Sequence, residues 1–251
     1  MFDDADLTDD KFLCGKLTLL QPARGYRAAT DPVLLAAACP ARAGERVLDI
    51  GCGVGAASLC LGARVPGAQL WGLEVQPGYA ALARRNAARN GIAMQVHDGD
   101  LAQMPAALRM DFDHVIMNPP YYPPAGTRSP VPERARAMQV DLPLGDWVLA
   151  GARRLAPGGW LTLICGTDGL PAVLAGMAKL GSIAVLPLAP RAGRTALRII
   201  VQARKGGRGP FRLLAPLVLH AGPAHTGDRE SYTPEASAVL RSGSDLLAHF
   251  R

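Results

Sequence analysis

Val47-Leu48-Asp49-Ile50-Gly51-Cys52-Gly53-Val54-Gly55 reads as an apolar strand running into alternate glycines, followed by a helix-like stretch from Gly55 to Ala63. Glycines there let the backbone turn tightly and let a ligand approach where a Cβ would block it. The alternation continues downstream with a strand-like run, Gln69 to Val75, and a helix, Pro77 to Asn90. Both ends of that helix are signalled, by proline in its first turn and by Gly91 just beyond it. Further strands are expected at Met94 to His97, His114 to Met117 and Trp160 to Cys165, the last after a helix ending at Pro157-Gly158-Gly159. Strands separated by helices of roughly a dozen residues imply βαβ units, a mainly parallel sheet and an α/β domain of three layers.

Working outward, Phe12 to Ala38 reads as a short, partly helical lid, with Asp31-Pro32 as a helix start and Pro40 as its end. On the other side, Ile183 to Leu188 and Ala196 to Ala203 resemble a hairpin at the sheet edge, joined by an arginine-bearing turn. Beyond Lys205 there is one apolar run, Leu213 to Leu219, and then polar, loop-like sequence. The expected organisation is a cap segment over residues 10–40, a main domain over 41–204 and an extension of that domain over 205–251.

The chain has 251 residues, 49% hydrophobic and 19% charged, enough to bury a full-sized core and unlike a disordered or disulfide-stapled chain. No apolar stretch approaches the ~20 residues a membrane span needs, and the start MFDDADLTDD is acidic where a signal peptide would be basic. A soluble, cytoplasmic protein is the expectation. The five cysteines, Cys14, Cys39, Cys52, Cys60 and Cys165, include no CxxC pair, so neither a disulfide framework nor a zinc site is expected. His220 and His225 lack a third ligand at metal spacing and read as surface or packing residues.

Charge is unevenly placed. The formal net charge is +6, yet Gly169 to Gly227 holds no acidic residue and eight basic ones: Lys179, Arg191, Arg194, Arg198, Arg204, Lys205, Arg208 and Arg212. A polyanion such as RNA would be drawn to that segment, which serves a dimer interface or simple solubility equally well.

The glycine loop alone leaves its ligand open, because Gly51-Cys52-Gly53-Val54-Gly55-Ala56 also satisfies the dinucleotide pattern G-x-G-x-x-A. Glu74, near the end of the second strand, suits either ligand as an acceptor for ribose hydroxyls. Three features point away from NAD: Asp49 two residues before the first glycine, the G-x-G-x-G spacing, and Gly99-Asp100 after the third strand, where a carboxylate meets an adenine amino group. Asp98, two positions earlier, competes with Asp100 for that role.

At these residues the sequence resembles the class I S-adenosylmethionine-dependent methyltransferases, over roughly Glu45 to Thr167. The resemblance implies a Rossmann-like three-layer fold with a mainly parallel seven-stranded sheet and an antiparallel edge hairpin. It also implies S-adenosylmethionine as methyl donor, held by Thr30, Asp49, Gly51, Cys52, Gly53, Gly55, Glu74, Val75, Asp100, Leu101 and Asn118. Tyr26 and Thr30 are candidates for closing over it.

Asn118-Pro119-Pro120-Tyr121 directly follows the apolar strand Phe112 to Met117, at the sheet edge where ligands of open α/β folds bind. Consecutive prolines hold the backbone extended and lack N–H donors, leaving carbonyl acceptors beside the asparagine amide oxygen. An amino group on a planar system is a poor nucleophile because its lone pair is delocalised. Acceptors that bind its hydrogens favour the pyramidal form, a preorganised electrostatic effect worth ~3 kcal/mol per well-placed group. Tyr121 offers a stacking face worth ~1 to 3 kcal/mol for a base. The tetrapeptide is similar to the N-P-P-Y motif of methyltransferases acting on adenine N6, guanine N2 or glutamine N5.

Phe12-Leu13-Cys14-Gly15, Gln21-Pro22, Gly25-Tyr26-Arg27, Thr30 to Leu35 and Tyr122 resemble bacterial tRNA(Val) adenine-N6 methyltransferases and their relatives. That resemblance implies an unstacked adenine of tRNA as acceptor. Tyr121, Tyr122, Arg128 and Arg134 are the candidate substrate contacts, with Arg136 close behind. Met138-Gln139 and the extension after Arg204 depart from the family pattern. The alternatives are a guanine-N2 or protein-glutamine N5 methyltransferase, an NAD-dependent oxidoreductase, and a non-catalytic RNA-binding module that retains S-adenosylmethionine. The resemblance to the glutamine enzymes would imply a separate N-terminal helical domain for docking a protein partner, which is not expected from these residues.

Overall fold

The structure, a computed structural model, describes residues 2–120, 142–222 and 231–251. Its centre is the predicted parallel sheet. β3 (Arg46–Ile50), β4 (Gln69–Glu74), β5 (Met94–Asp98), β6 (Phe112–Met117) and β7 (Leu155–Gly166) run parallel in the order β7-β6-β3-β4-β5. The chain steps outward from β3 to β5, then returns to the other side of β3 as β6. That reversal opens a crevice at the carboxyl ends of β3 and β6, the place where ligands of such sheets bind.

Alternation along the strands sorts the core into two layers. Val47, Ile116, Ile164 and Ile200 face one apolar cluster, shared with α1 (Thr30–Ala38), α2 (Ala56–Arg64) and α3 (Pro77–Arg89). Their neighbours Leu48, Val115, Leu163 and Val201 face the other, shared with α4 (Leu144–Arg154) and α5 (Leu170–Gly176). Both faces of the sheet are covered, so its central strands are apolar nearly throughout.

Beyond β7, β8 (Leu180–Arg191) and β9 (Arg198–Lys205) form the expected hairpin, with β9 antiparallel between β7 and β8. The hairpin is not the outermost element. Two short strands, β10 (Arg212–Leu213) and β11 (Leu217–His220), add to β8 and bring the sheet to nine strands rather than seven. Past β11, the segment that reads as polar loop contains α6 (Pro234–Ser237) and buries Ala236, Val239 and Leu246 against the α1 cluster. Apolar side chains so sparsely spaced give no periodic signal; the surface waiting on α1 decides their burial.

The N-terminal segment carries the helix expected from its Asp31-Pro32 start, as α1, but forms strands ahead of it. β1 (Leu7–Phe12) and β2 (Leu17–Pro22) pair as an antiparallel hairpin ahead of α1. Its second edge is completed by side chains. Asn86 of α3 and Asn90, which caps it one turn later, accept from the Leu20 and Thr18 amides through Oδ1 (2.8 and 2.9 Å) and donate to the same residues' carbonyls (3.1 and 2.9 Å). Two asparagines thus substitute for a neighbouring strand, which local propensity cannot signal. Asn86 Nδ2 also donates to the Val54 carbonyl at 3.0 Å, fastening the hairpin to the glycine loop.

Removing the fully buried Asn86 side chain leaves three backbone groups unsatisfied. Asn86→Ala is expected to lower unfolding stability by about 2 to 4 kcal/mol, measured by urea denaturation against an exposed control such as Arg85→Ala.

Candidate functional site

At the crevice, the carboxyl ends of β3 to β6 border a cleft enclosing about 750 Å³, open solvent included. Gly51, Gly53 and Gly55 all have positive φ (72°, 55° and 84°). A Cβ on Gly51 would stand 2.9 Å from the ring of Trp147 in α4, so only glycine fits both its conformation and its space. The Gly51 and Cys52 amides donate to the Leu73 carbonyl (2.8 and 3.0 Å), folding the loop over the end of β4.

Glu74 completes that loop. One carboxylate oxygen accepts from the Gly53 amide and the other from the Gln76 amide, each at 2.9 Å. Burial pushes its pKa above the usual carboxylate value, opposed by these backbone bonds. Asp49, 2% exposed, accepts from the Ser58 hydroxyl at 2.8 Å, and burial raises its pKa to about 7. It lies in a second, smaller cavity that shares Tyr26, Gly51 and Asn118 with the cleft.

No lysine or arginine lines either cavity among the described residues. Two carboxylates held without a cation suit a ligand that brings positive charge and hydroxyl donors, and they oppose a pyrophosphate. The sulfonium, ammonium and ribose of S-adenosylmethionine meet that description, and a dinucleotide does not. Glu74, Asp49 and the glycine loop are the residues that would hold it.

Asp100 lines the cleft and accepts from the Ala102 amide at 2.8 Å, capping a single helical turn. Asp98, its competitor in the sequence, instead pairs with Arg84 of α3. Val75 and Leu101 line the cleft, and Cys52 lines the smaller cavity. Gly55 lines neither; it precedes α2, and its Cβ position is 3.4 Å from Ala83, which packs the loop against α3. Thr30 also lines neither, its hydroxyl accepting from Arg198 at 3.3 Å.

Asn118 and Pro120 border the cleft directly after β6, and Pro119 is buried. The Asn118 Nδ2 donates to the Tyr26 hydroxyl at 3.3 Å, while its Oδ1 is buried without a partner among the described residues. Tyr121, Tyr122, Arg128, Arg134, Arg136, Met138, Gln139 and His225 lie outside the described residues. Trp147, Tyr79 and Gln76 line the cleft without having been singled out. Tyr79 and Gln76 could have been found from their place at the start of the helix after the Glu74 strand. Trp147 approaches through a helix from the opposite layer, and nothing in its local sequence announces that.

The basic segment is largely committed to the fold. Arg191 donates to the Ala221 and Gly222 carbonyls, Arg204 to Gly158, Lys205 to Leu155, and Arg212 to Phe250 and Arg251, while Arg198 pairs with Asp31. Lys179, Arg194 and Arg208 are exposed.

The sheet order, the glycine loop and the carboxylate at the end of β4 define the Rossmann-like fold of class I methyltransferases. The chain belongs to the methyltransferase small domain family, whose sequence model matches residues 29–167. It is 35% identical over 144 residues to the release factor glutamine methyltransferase of Geobacter sulfurreducens (54% of this chain, 50% of that one). It is 37% identical over 102 residues to the tRNA1(Val) (adenine(37)-N6)-methyltransferase of Yersinia enterocolitica (39% of this chain, 41% of that one). The chain thus spans about half the length of the curated relatives it matches. Among solved structures, a predicted O-methyltransferase from Agrobacterium tumefaciens superposes with TM-score 0.70 at 27% identity, covering 86% of this chain and 97% of that one. A T. thermophilus 16S rRNA N2 methyltransferase, solved with AdoMet and guanosine, shares the fold at TM-score 0.55 and 20% identity, over 79% of this chain and 50% of that one. Among the described residues no helix is long and apolar enough to cross a membrane.

Because burial lifts the folded-state pKa of Asp49 to about 7 from an ordinary carboxyl value of about 4, the folded chain keeps a proton between those values that the unfolded chain releases. Its contribution to stability therefore falls as pH rises from about 4 to about 7. Thermal unfolding across that range should show the decline, and Asp49→Asn should flatten it, with a gain at pH 8 on the order of 2 to 4 kcal/mol relative to pH 4.

Proposed function

We propose that this protein is an S-adenosylmethionine-dependent N-methyltransferase acting on an exocyclic amino group, adenine N6 of a tRNA. The observation that carries the reading is the Asn118 amide, whose carbonyl oxygen is buried at the edge of the cleft with no partner among the described residues. Such an acceptor costs about 1 to 3 kcal/mol unless a ligand satisfies it, and an amino N–H is a donor of the right kind. When bound, S-adenosylmethionine supplies an electrophilic methyl group on sulfur.

The chain's own residues do the rest. Asn118 Oδ1, with a carbonyl of the proline pair, binds the amino hydrogens and frees the nitrogen lone pair for attack. The proton becomes acidic only after nitrogen has bonded to carbon, so no strong base is required. Glu74 and Asp100 would take the ribose hydroxyls and the adenine amine, and Tyr121 would stack on the acceptor ring. A hydroxyl acceptor would gain little from this arrangement. Arg128, Arg134, Arg194 and Arg208 are the candidate phosphate contacts, consistent with the match to a tRNA enzyme.

A second reading, transfer to a glutamine of a release factor, is favoured by the match to the Geobacter sulfurreducens enzyme. Glutamine and adenine both present a planar NH2, so the same acceptors serve both. Mass spectrometry of tRNA nucleosides from cells with and without the gene separates them: loss of N6-methyladenosine supports tRNA, whereas loss of release-factor methylation alone supports the protein acceptor. In either case Asn118→Ala is expected to lower kcat by about 100-fold or more while calorimetry shows most of the S-adenosylmethionine affinity retained.

A further inference from the structure

An asparagine amide has nearly the same shape when turned over, so packing alone barely distinguishes an oxygen aimed at substrate from an NH2 aimed at it. Only the first orientation can accept amino hydrogens. In this structure Asn118 Nδ2 donates to the Tyr26 hydroxyl, and Oδ1 is left as the buried end with no partner among the described residues. We infer that Tyr26 is a positioning residue whose hydroxyl sets the orientation of the Asn118 amide, keeping Oδ1 available to an exocyclic NH2. The inference rests on the N-methyl transfer proposed above.

Tyr26 is itself held from several directions. Gln21 at the end of β2 donates to the Ala28 carbonyl and accepts from the Ala28 amide (3.2 and 2.7 Å), closing the loop that carries Tyr26. Arg27, next in the chain, is tied to Asp10 of β1 at 2.6 Å. The Tyr79 hydroxyl donates to the Tyr26 carbonyl at 3.3 Å, and the Tyr79 ring is braced edge-on by Phe2. Tyr26, Gly51 and Asn118 line both cavities, so the Tyr26–Asn118 contact lies between the cleft and the Asp49 cavity.

Burial, reinforced by the charges of Asp31 and Asp49, raises the Tyr26 pKa and keeps the phenol neutral. A neutral phenol oxygen accepts from an amide N–H. With Nδ2 bound to the phenol oxygen, Oδ1 is the end left for the substrate. The hydroxyl is then a determinant of turnover while the ring is a wall of the cleft, two roles that Tyr26→Phe separates.

The test uses the full-length protein labelled with 15N, with the Asn118 side-chain NH2 signals identified by their loss in Asn118→Ala. Tyr26→Phe is expected to shift that pair of signals and lower its heteronuclear NOE. In parallel, kcat for transfer of labelled methyl from S-adenosylmethionine to unfractionated bacterial tRNA, or to a bacterial release factor, should fall about tenfold. S-adenosylmethionine Kd should stay within about twofold by calorimetry. Unchanged amide signals in Tyr26→Phe overturn the inference whatever the acceptor proves to be. So do an unchanged or increased kcat, and a Kd that weakens in step with kcat, which would make Tyr26 a cofactor contact alone. A wild-type protein that transfers methyl to neither acceptor overturns the transfer reading, and the amide signals then still report whether Tyr26 orients Asn118.

Discussion

Glu74 is the point on which the site hangs. Its carboxylate accepts from Gly53 in the loop after β3 and from Gln76 in the turn after β4, and its backbone carbonyl accepts from Gly99 after β5. Three separate connections at the carboxyl edge of the sheet are thereby held by one buried residue. A carboxylate so placed carries a desolvation cost that backbone amides only partly offset, and an incoming ligand with hydroxyl or cationic groups recovers more of it. The loop is prepared for such a ligand by the same interaction that shapes it.

The N-terminal hairpin belongs to the site although it lies outside the central sheet. Asn86 and Asn90 complete its second edge, and Asn86 simultaneously holds the Val54 carbonyl of the glycine loop. The hairpin then delivers the loop that carries Tyr26, whose hydroxyl meets Asn118 at the end of β6. Residues from β2, α3, the glycine loop and β6 therefore share one network of hydrogen bonds. Helix α1 is fastened from the opposite side by Arg198 of β9, through Asp31 and Thr30. Chain segments distant in sequence converge because each supplies donors or acceptors that another leaves unmatched.

The basic segment shows why a charge count is a weak guide to an interface. Eight cations without an intervening acid suggest a surface for a polyanion, yet four of them close backbone carbonyls left open where strands end and loops turn back, and a fifth, Arg198, pairs with Asp31. Guanidinium groups are suited to that task because one side chain can satisfy several acceptors. Their charge still contributes to the field around the protein, but their geometry is set by the fold. The Arg194 and Arg208 side chains are not so constrained, and Arg194 sits in the β8–β9 turn at the same sheet edge as the cleft.

The sequence alone determined the parallel sheet, the glycine loop with Asp49 and Glu74 beside it, and the Asn-Pro-Pro corner, because each is written in local periodicity or in residues whose backbone limits are severe. Only the tertiary structure decided that Asp100 rather than Asp98 lines the cleft, since Arg84 reaches Asp98 from a neighbouring helix. It likewise decided that two asparagines would complete a hairpin, that the C-terminal stretch would pack on α1, that the Tyr26 hydroxyl would meet Asn118, and that Trp147 would meet the site. Those outcomes depend on which unpaired donors, acceptors and apolar faces meet across tens of residues, and a one-dimensional pattern does not carry that information.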